Sequence, residues 1–345
     1  MSDDHDGVPG LLADRALGML RASDERTVRS HLAGCESCAA RAERLRATVR
    51  LLDGPPGAAE PAAAQDGPAG RDGVLAVALR ARAAVPPAAA HAAPYAAAVG
   101  GLAALLREVE ASGAWGTPVV HDWDVRDTVG HLIAADEQLA RFLGVRTHTP
   151  ASRVTRDMAW EEAWRTRTTE VIAYERSRAP GETVAAWSAR AAALLATPEA
   201  RDPERAALAT TLTGVRLPVA DHFLGRAFET WIHTHDIGRA LGIAVPPLPG
   251  DRLGHLVRLA VRMLGLALGP TAAPVLLTVT GGEAGDPRVL GSEDEPVRGE
   301  LTLDVVDFCL LVGGRHTPAG VPRGAAGDES AVRNVLERAA SLAWL

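Results

Sequence analysis

Arg226-Ala-Phe-Glu229-Thr-Trp-Ile-His233-Thr-His235-Asp236-Ile-Gly238 lies inside a stretch, 218–241, whose apolar residues recur at helical spacing and which Gly242 closes. Four residues separate Glu229 from His233, so a helix stacks them on one face about one turn apart. Earlier in the chain, His131 stands in Val129-Gly-His131-Leu-Ile, within a second helical stretch, 124–143, that has Asp124 as N-cap and Gly144 as stop. If these two helices face each other, His131, Glu229 and His233 converge as two imidazoles and one carboxylate. Three protein ligands leave a fourth position open, which is the arrangement catalytic zinc uses. A Glu–His pair at this spacing is also common as a solvated pair, so the spacing alone leaves both readings open. His222, on the same face, is the rival ligand.

The surrounding pattern predicts a helical bundle. Amphipathic helices are expected at 95–112, 158–178 and 183–196 besides the two above, antiparallel with their apolar stripes inward. After Pro249 the texture changes. A helix at 251–268 leads into strands at 275–280, 288–290 and 299–303, then helices at 304–313 and 329–344. The expected fold is therefore mainly α: a bundle over 95–247 and a small α+β domain over 248–345.

The N-terminus is a different object. His31-Leu-Ala-Gly-Cys35-Glu-Ser-Cys38 places two of the three cysteines in chelating register, with an imidazole one turn before the first. A closed structural zinc site needs four donors, and His5 is the candidate for the fourth; Asp3, Asp4, Asp6 or Glu36 offers an oxygen instead. No thioredoxin-like strand–turn–helix surrounds the pair, which argues against a redox role. Helical spacing of Leu11, Leu12, Ala16, Leu17 and Leu20, a second helix from Ser23 to Gly34, and a third from Cys35 through Leu52 predict a three-helix module over 1–52. So few residues bury little apolar surface, and zinc would contribute to folding. Residues 53–94 are rich in Ala, Pro and Gly and read as a tether carrying one short helix at 71–82.

The chain has 345 residues, a net charge of −7 and 36 basic residues that are all arginine. No arginine-rich stripe with interleaved aromatics appears, so direct nucleic-acid binding is not expected. The stretch 253–268 is interrupted by His255, Arg258 and Arg262, and no other apolar run reaches membrane-spanning length. With no signal-peptide pattern at Met1-Ser-Asp-Asp-His5, a cytoplasmic protein is expected.

Two resemblances sharpen these readings. The order His5, leucine-rich helix, Ser23-Asp-Glu-Arg26, His31-Leu-x-x-Cys35-x-x-Cys38 resembles the zinc-binding anti-sigma family. That resemblance implies a structural Zn2+ held by His5, His31, Cys35 and Cys38 and a sigma factor of the extracytoplasmic-function type as partner. Redox-sensing members carry a cysteine where this chain has His5, so the disulfide switch they use is not expected.

Trp123-Asp-Val-Arg-Asp-Thr-Val-Gly-His131-Leu, the stretch from Arg226 to Gly238, and Phe308-Cys-Leu-Leu-Val-Gly-Gly-Arg315 together resemble mycothiol-dependent maleylpyruvate isomerase over 95–345. The resemblance implies a DinB-like bundle and His131, Glu229 and His233 as ligands of a divalent metal, with zinc the expected ion. It also implies mycothiol as the thiol cofactor and Arg315 holding a substrate carboxylate. The thiolate would add to the activated double bond of maleylpyruvate, and rotation followed by its expulsion would give fumarylpyruvate. Arg315 pairing with Asp304 or Asp307 is the structural alternative.

Asp236 is expected either to orient a ligand imidazole or to sit beside Arg239. His235 is expected in solvent, Trp123, Trp160, Trp164 and Trp231 in the core, and Cys309 as a packed thiol. Two functions follow. One is an anti-sigma-type regulator whose larger domain senses a small thiol or electrophile. The other is an active mycothiol-dependent isomerase or S-transferase with an accessory zinc module.

Overall fold

A computed structural model of the chain describes residues 7–16, 20, 22–52, 88–147, 149–155, 157–212, 214–281 and 287–342. It divides into two compact units, Met1–Ala84 and Val85–Leu345. His5 and the short helix expected at 71–82 lie outside the described residues.

The first unit contains α1 (Val8–Ala16), α2 (Ala22–Gly34) and α3 (Glu36–Leu52). Its buried core consists of Val8, Leu12, Val28, Cys38 and Ala42. That is a thin core for three helices, and one of its members is a candidate metal ligand.

The second unit begins with a group of helices, α4 (Ala93–Ser112), α5 (Val125–Phe142), α6 (Trp160–Glu175), α7 (Pro180–Leu195) and α9 (Val219–Leu241). α9 packs along α4 and against α5, while α6 and α7 cover the other sides of α5. The stops lie where the glycines place them: Gly113, Gly144 and Gly242 each have φ of 68°, which a side chain disfavours. α5 starts on a capping box in which Asp124 Oδ1 accepts from Asp127 N at 2.8 Å and Asp127 Oδ2 from Asp124 N at 3.3 Å. Arg167 of α6 holds buried Glu137 of α5 through Nε–Oε2 at 2.6 Å and Nη2–Oε1 at 2.9 Å.

Several elements before Pro249 were not foreseen: the hairpins β1 (Pro118–Val120) with β2 (Trp123–Asp124) and β3 (Ala209–Leu212) with β4 (Val215–Pro218), and the one-turn helix α8 (Pro203–Ala206). The strands are too short for alternation to register.

The remainder is α10 (Gly250–Leu268), β5 (Val275–Thr280), β6 (Arg288–Leu290), β7 (Gly299–Asp304), α11 (Val305–Val312), β8 (Gly324–Gly327) and α12 (Glu329–Ala340). The sheet order is β6-β5-β7-β8, with β5 and β7 parallel and both outer pairs antiparallel. β8 is Gly-Ala-Ala-Gly and exposed throughout, which leaves it no strand-like pattern in sequence. One continuous core runs from Tyr95, Phe223 and Trp231 in the bundle to Leu264, Leu301 and Val335 around the sheet. The class is the expected one, mainly helical with a small α+β portion after Pro249. No helix among the described residues is long and apolar enough to cross a membrane.

Candidate metal centres

In the first unit, α2 ends at Gly34 and α3 begins at Glu36, so the bend between them carries Cys35. This brings His31, Cys35 and Cys38 together with donor atoms all within 4.8 Å of one another. No disulfide involves any of the three cysteines. Hydrogen bonding from Ser37 and from the Cys38 backbone brings the Cys35 thiol down to about 6, so it ionises readily. Burial and the neighbouring Cys35 push Cys38 the other way. A thiolate, a second thiol and an imidazole are a zinc donor set. No donor beyond these three is located among the described residues.

In the second unit, α5 and α9 do face each other. His131, Glu229 and His233 meet with donor atoms within 4.8 Å, and all three are buried. His131 Nε2 lies 2.7 Å from Glu229 Oε1. Yet both oxygens of Glu229 and both ring nitrogens of His233 lack an aligned hydrogen-bond partner. Buried polar atoms in proteins are nearly always satisfied. One donor atom from each of the three residues, gathered in a buried space within 4.8 Å of one another, fits a cation.

Burial by itself would raise the pKa of Glu229. The Arg226 guanidinium overcomes this first and the two imidazoles next, and together they hold the carboxyl at about 2. Arg226, one turn earlier on α9, forms an ion pair with Glu229 Oε2. Burial also lowers His233, which keeps it neutral and able to coordinate.

A further layer sits behind His233. Its Nδ1 is 3.2 Å from Asp236 Oδ2, which directs Nε2 toward the centre. Asp236 is in turn gripped by Arg315, whose Nε donates to Oδ1 at 3.0 Å and to Oδ2 at 3.2 Å. Against the burial that would raise it, His233 and Arg315 bring Asp236 to about 2. Arg315 also donates to the Gly313 carbonyl. Its guanidinium thus backs Asp236, the acceptor beside His233. Neither alternative partner engages it, since Asp304 caps α11 and Asp307 accepts from His316 at 3.1 Å.

His222 is not part of the triad; its Nε2 meets the Thr210 carbonyl at 3.1 Å. His235 is half-buried rather than fully in solvent, and its Nδ1 is buried without a hydrogen-bond partner. Cys309 is buried, and burial raises its pKa strongly.

The tryptophans divide. Trp231 is core, whereas Trp160 is 40% exposed and packs on Gly214, whose absent side chain makes room for the ring. Trp123 and Trp164 are half-buried and line the centre: the Trp123 ring lies 4.6 Å from the His131 ring, and the Trp164 ring 5.9 Å from it, edge on. Sequence reasoning missed this because Trp123 is placed by a two-residue strand. It missed Arg226 although Arg226-x-x-Glu229 carried a readable signal, an i, i+3 charge pair.

Residues 95–238 match the family described as mycothiol maleylpyruvate isomerase N-terminal domain. Two proteins of Mycobacterium tuberculosis, from strains H37Rv and CDC 1551 and both described as uncharacterized, are 31% identical over 122 residues. Those matches cover 34% of this chain and 46% of each relative, so less than half of the relatives' length is represented. Crystal structures of mycothiol-dependent maleylpyruvate isomerase and of a point mutant of it superpose with TM-scores of 0.46 and 0.47 at 15% and 14% identity. Both superpositions cover 68% of this chain and 91% of the other.

Proposed function

We propose that residues 85–345 carry out divalent-cation-dependent thiol chemistry of the mycothiol-dependent isomerase or S-transferase type. The observation that carries this reading is the buried triad of His131, Glu229 and His233, with one donor atom from each within 4.8 Å of the others. A Zn2+ held by these three side chains would supply Lewis acidity, lowering the pKa of a thiol at the open position.

The chain's own residues then have definite tasks. Arg226 keeps Glu229 ionised inside a dry site. Asp236, fixed by Arg315, selects the His233 tautomer. Trp123 and Trp164 cover His131 and restrict water. Arg315 acts through Asp236 and is a positioning residue. An addition–rotation–elimination needs no protein nucleophile.

The test is turnover by zinc-loaded full-length protein supplied with mycothiol and maleylpyruvate, with fumarylpyruvate as product. Glu229→Gln should abolish it while the protein stays folded. Absence of turnover with mycothiol and a panel of electrophiles, alongside saturable thiol binding, would instead favour the sensor.

The convergence of His31, Cys35 and Cys38 favours a second role, a zinc-held docking module for a sigma factor. Co-purification of a sigma factor with the full chain, lost in Cys38→Ser, supports it. No sigma factor bound to wild type would remove it.

A further inference from the structure

The β1–β2 hairpin is built onto both ligand-bearing helices. β1 packs against α5 and α9, and β2 runs directly into α5, with Asp124 ending the strand and capping the helix. Val120 pairs with Trp123, so His121 and Asp122 alone make the turn. The favoured two-residue turns need positive φ at their first residue, a place usually filled by glycine or asparagine. Here a histidine fills it. His121 has φ of 54°, the one positive value outside glycine among the described residues. A bulky side chain kept in a left-handed turn, at a cost in backbone strain, points to a task for that side chain.

The task lies toward the metal centre. His121 is exposed, and among the described residues no hydrogen bond or ion pair engages its ring. Its ring contact is with Trp123: the centroids are 5.1 Å apart and the planes cross at 73°, an edge-on pairing. Trp123 in turn lies 4.6 Å from the His131 ring, with the planes at 30°, and 6.4 Å from the His233 ring. The rings of His121, Trp123 and His131 thus form one run from the surface to a buried ligand. Trp123 is half-buried and carried by a strand of two residues. So short a strand holds a large ring weakly, and a second ring against its outer side supplies the missing support.

We propose that His121 is a positioning residue of the second metal centre: from its left-handed turn it braces Trp123 over His131, and this wall sets how fast ions and water pass to and from the triad. His121 acts through Trp123 and touches no reacting atom. The proposal rests on the reading that His131, Glu229 and His233 hold a cation.

Full-length wild type, His121→Asn, His121→Gly and His121→Phe test it. Asparagine and glycine suit the turn but lack a ring, whereas phenylalanine keeps a ring and the strain. Acrylamide quenching of Trp123 in chelated protein, taken as the difference from the same chain carrying Trp123→Phe, should rise about twofold for Asn and Gly and stay near wild type for Phe. Zinc release to excess chelator, followed in chains that also carry Cys38→Ser so that the second centre alone contributes, should quicken about fivefold for Asn and Gly but not for Phe. Thermal stability should run the other way, with Asn and Gly at or above wild type and Phe below it; a merely structural role would move both together. Unchanged quenching or unchanged release in His121→Asn, or a Phe variant no better than Asn, would overturn the proposal while the triad keeps its zinc. A wild-type chain that takes up no zinc at the second centre would overturn the reading of the triad, and this proposal with it.

Discussion

Asp236→Asn is the most discriminating single change. In the folded protein the Asp236 carboxyl is held at about 2 although burial opposes it; an unfolded aspartate titrates near 4. The depressed value means that the ionised form stabilises the fold at neutral pH by about 2–3 kcal/mol, a contribution lost as pH falls from about 4 through about 2. Asparagine keeps the shape and removes this contribution. It also leaves Arg315, whose side chain is 12% exposed, without its anionic partner, and a stranded buried charge raises the cost toward about 3–5 kcal/mol. For a unit of this size, about 2–3 kcal/mol corresponds to a drop of roughly 5–10 °C in Tm.

The substitution has a second, separable effect. His233 loses the acceptor that fixes its tautomer, so zinc affinity of the second centre should fall about 10–100-fold. Thermal unfolding of chelated wild type and variant across pH 7 to 3, with a competing-chelator titration at pH 7, reads both. The stability gap should shrink to about half by pH 3. Adding Arg315→Met should recover stability but not zinc affinity. A gap independent of pH, or unchanged zinc affinity, would falsify the assignment of Asp236 as the residue that orients His233.

Other expectations follow from the same contacts. Under the proposed isomerase activity, Arg315→Met alone should weaken zinc binding while leaving KM for maleylpyruvate in the zinc-saturated protein unchanged; a raised KM at full metal occupancy would return Arg315 to the substrate. Arg226→Leu strips buried Glu229 of its guanidinium partner, so Tm should fall by several degrees in chelated protein and much less with zinc bound, because a cation supplies the missing charge. Metal analysis should give two ions per chain, with one lost in Cys38→Ser and the other in His233→Ala; loss of both in either variant contradicts independent sites. In chelated protein at pH 7, iodoacetamide should modify Cys35 first and Cys309 only on unfolding, read by peptide mass spectrometry. Burial raises Asp136 to about 6 despite the Tyr95 hydroxyl donating at 2.7 Å. Stability linked to it is therefore full below about pH 4 and lost as pH rises through about 6, and Asp136→Asn should flatten that part of the pH–stability curve.

Much of the molecule can be read without coordinates because its signals are local. The helix stops at Gly113, Gly144 and Gly242, the capping aspartate at position 124, the strand 275–280 and the i, i+4 pair of Glu229 and His233 depend on neighbours within a turn or two. His31, Cys35 and Cys38 belong to this class as well, since one bend between two helices suffices to gather them.

What only the tertiary structure decided involves residues far apart in the chain. That α5 turns His131 onto α9 is such a fact, and so is Arg315 reaching across 79 positions to Asp236 rather than to its neighbours Asp304 or Asp307. The tryptophans covering the centre are of the same kind. Periodicity tells a helix which side is apolar. Which partner that side meets, and which charges are thereby taken out of water and forced to pair, is settled by packing between elements whose separation in sequence carries no pattern.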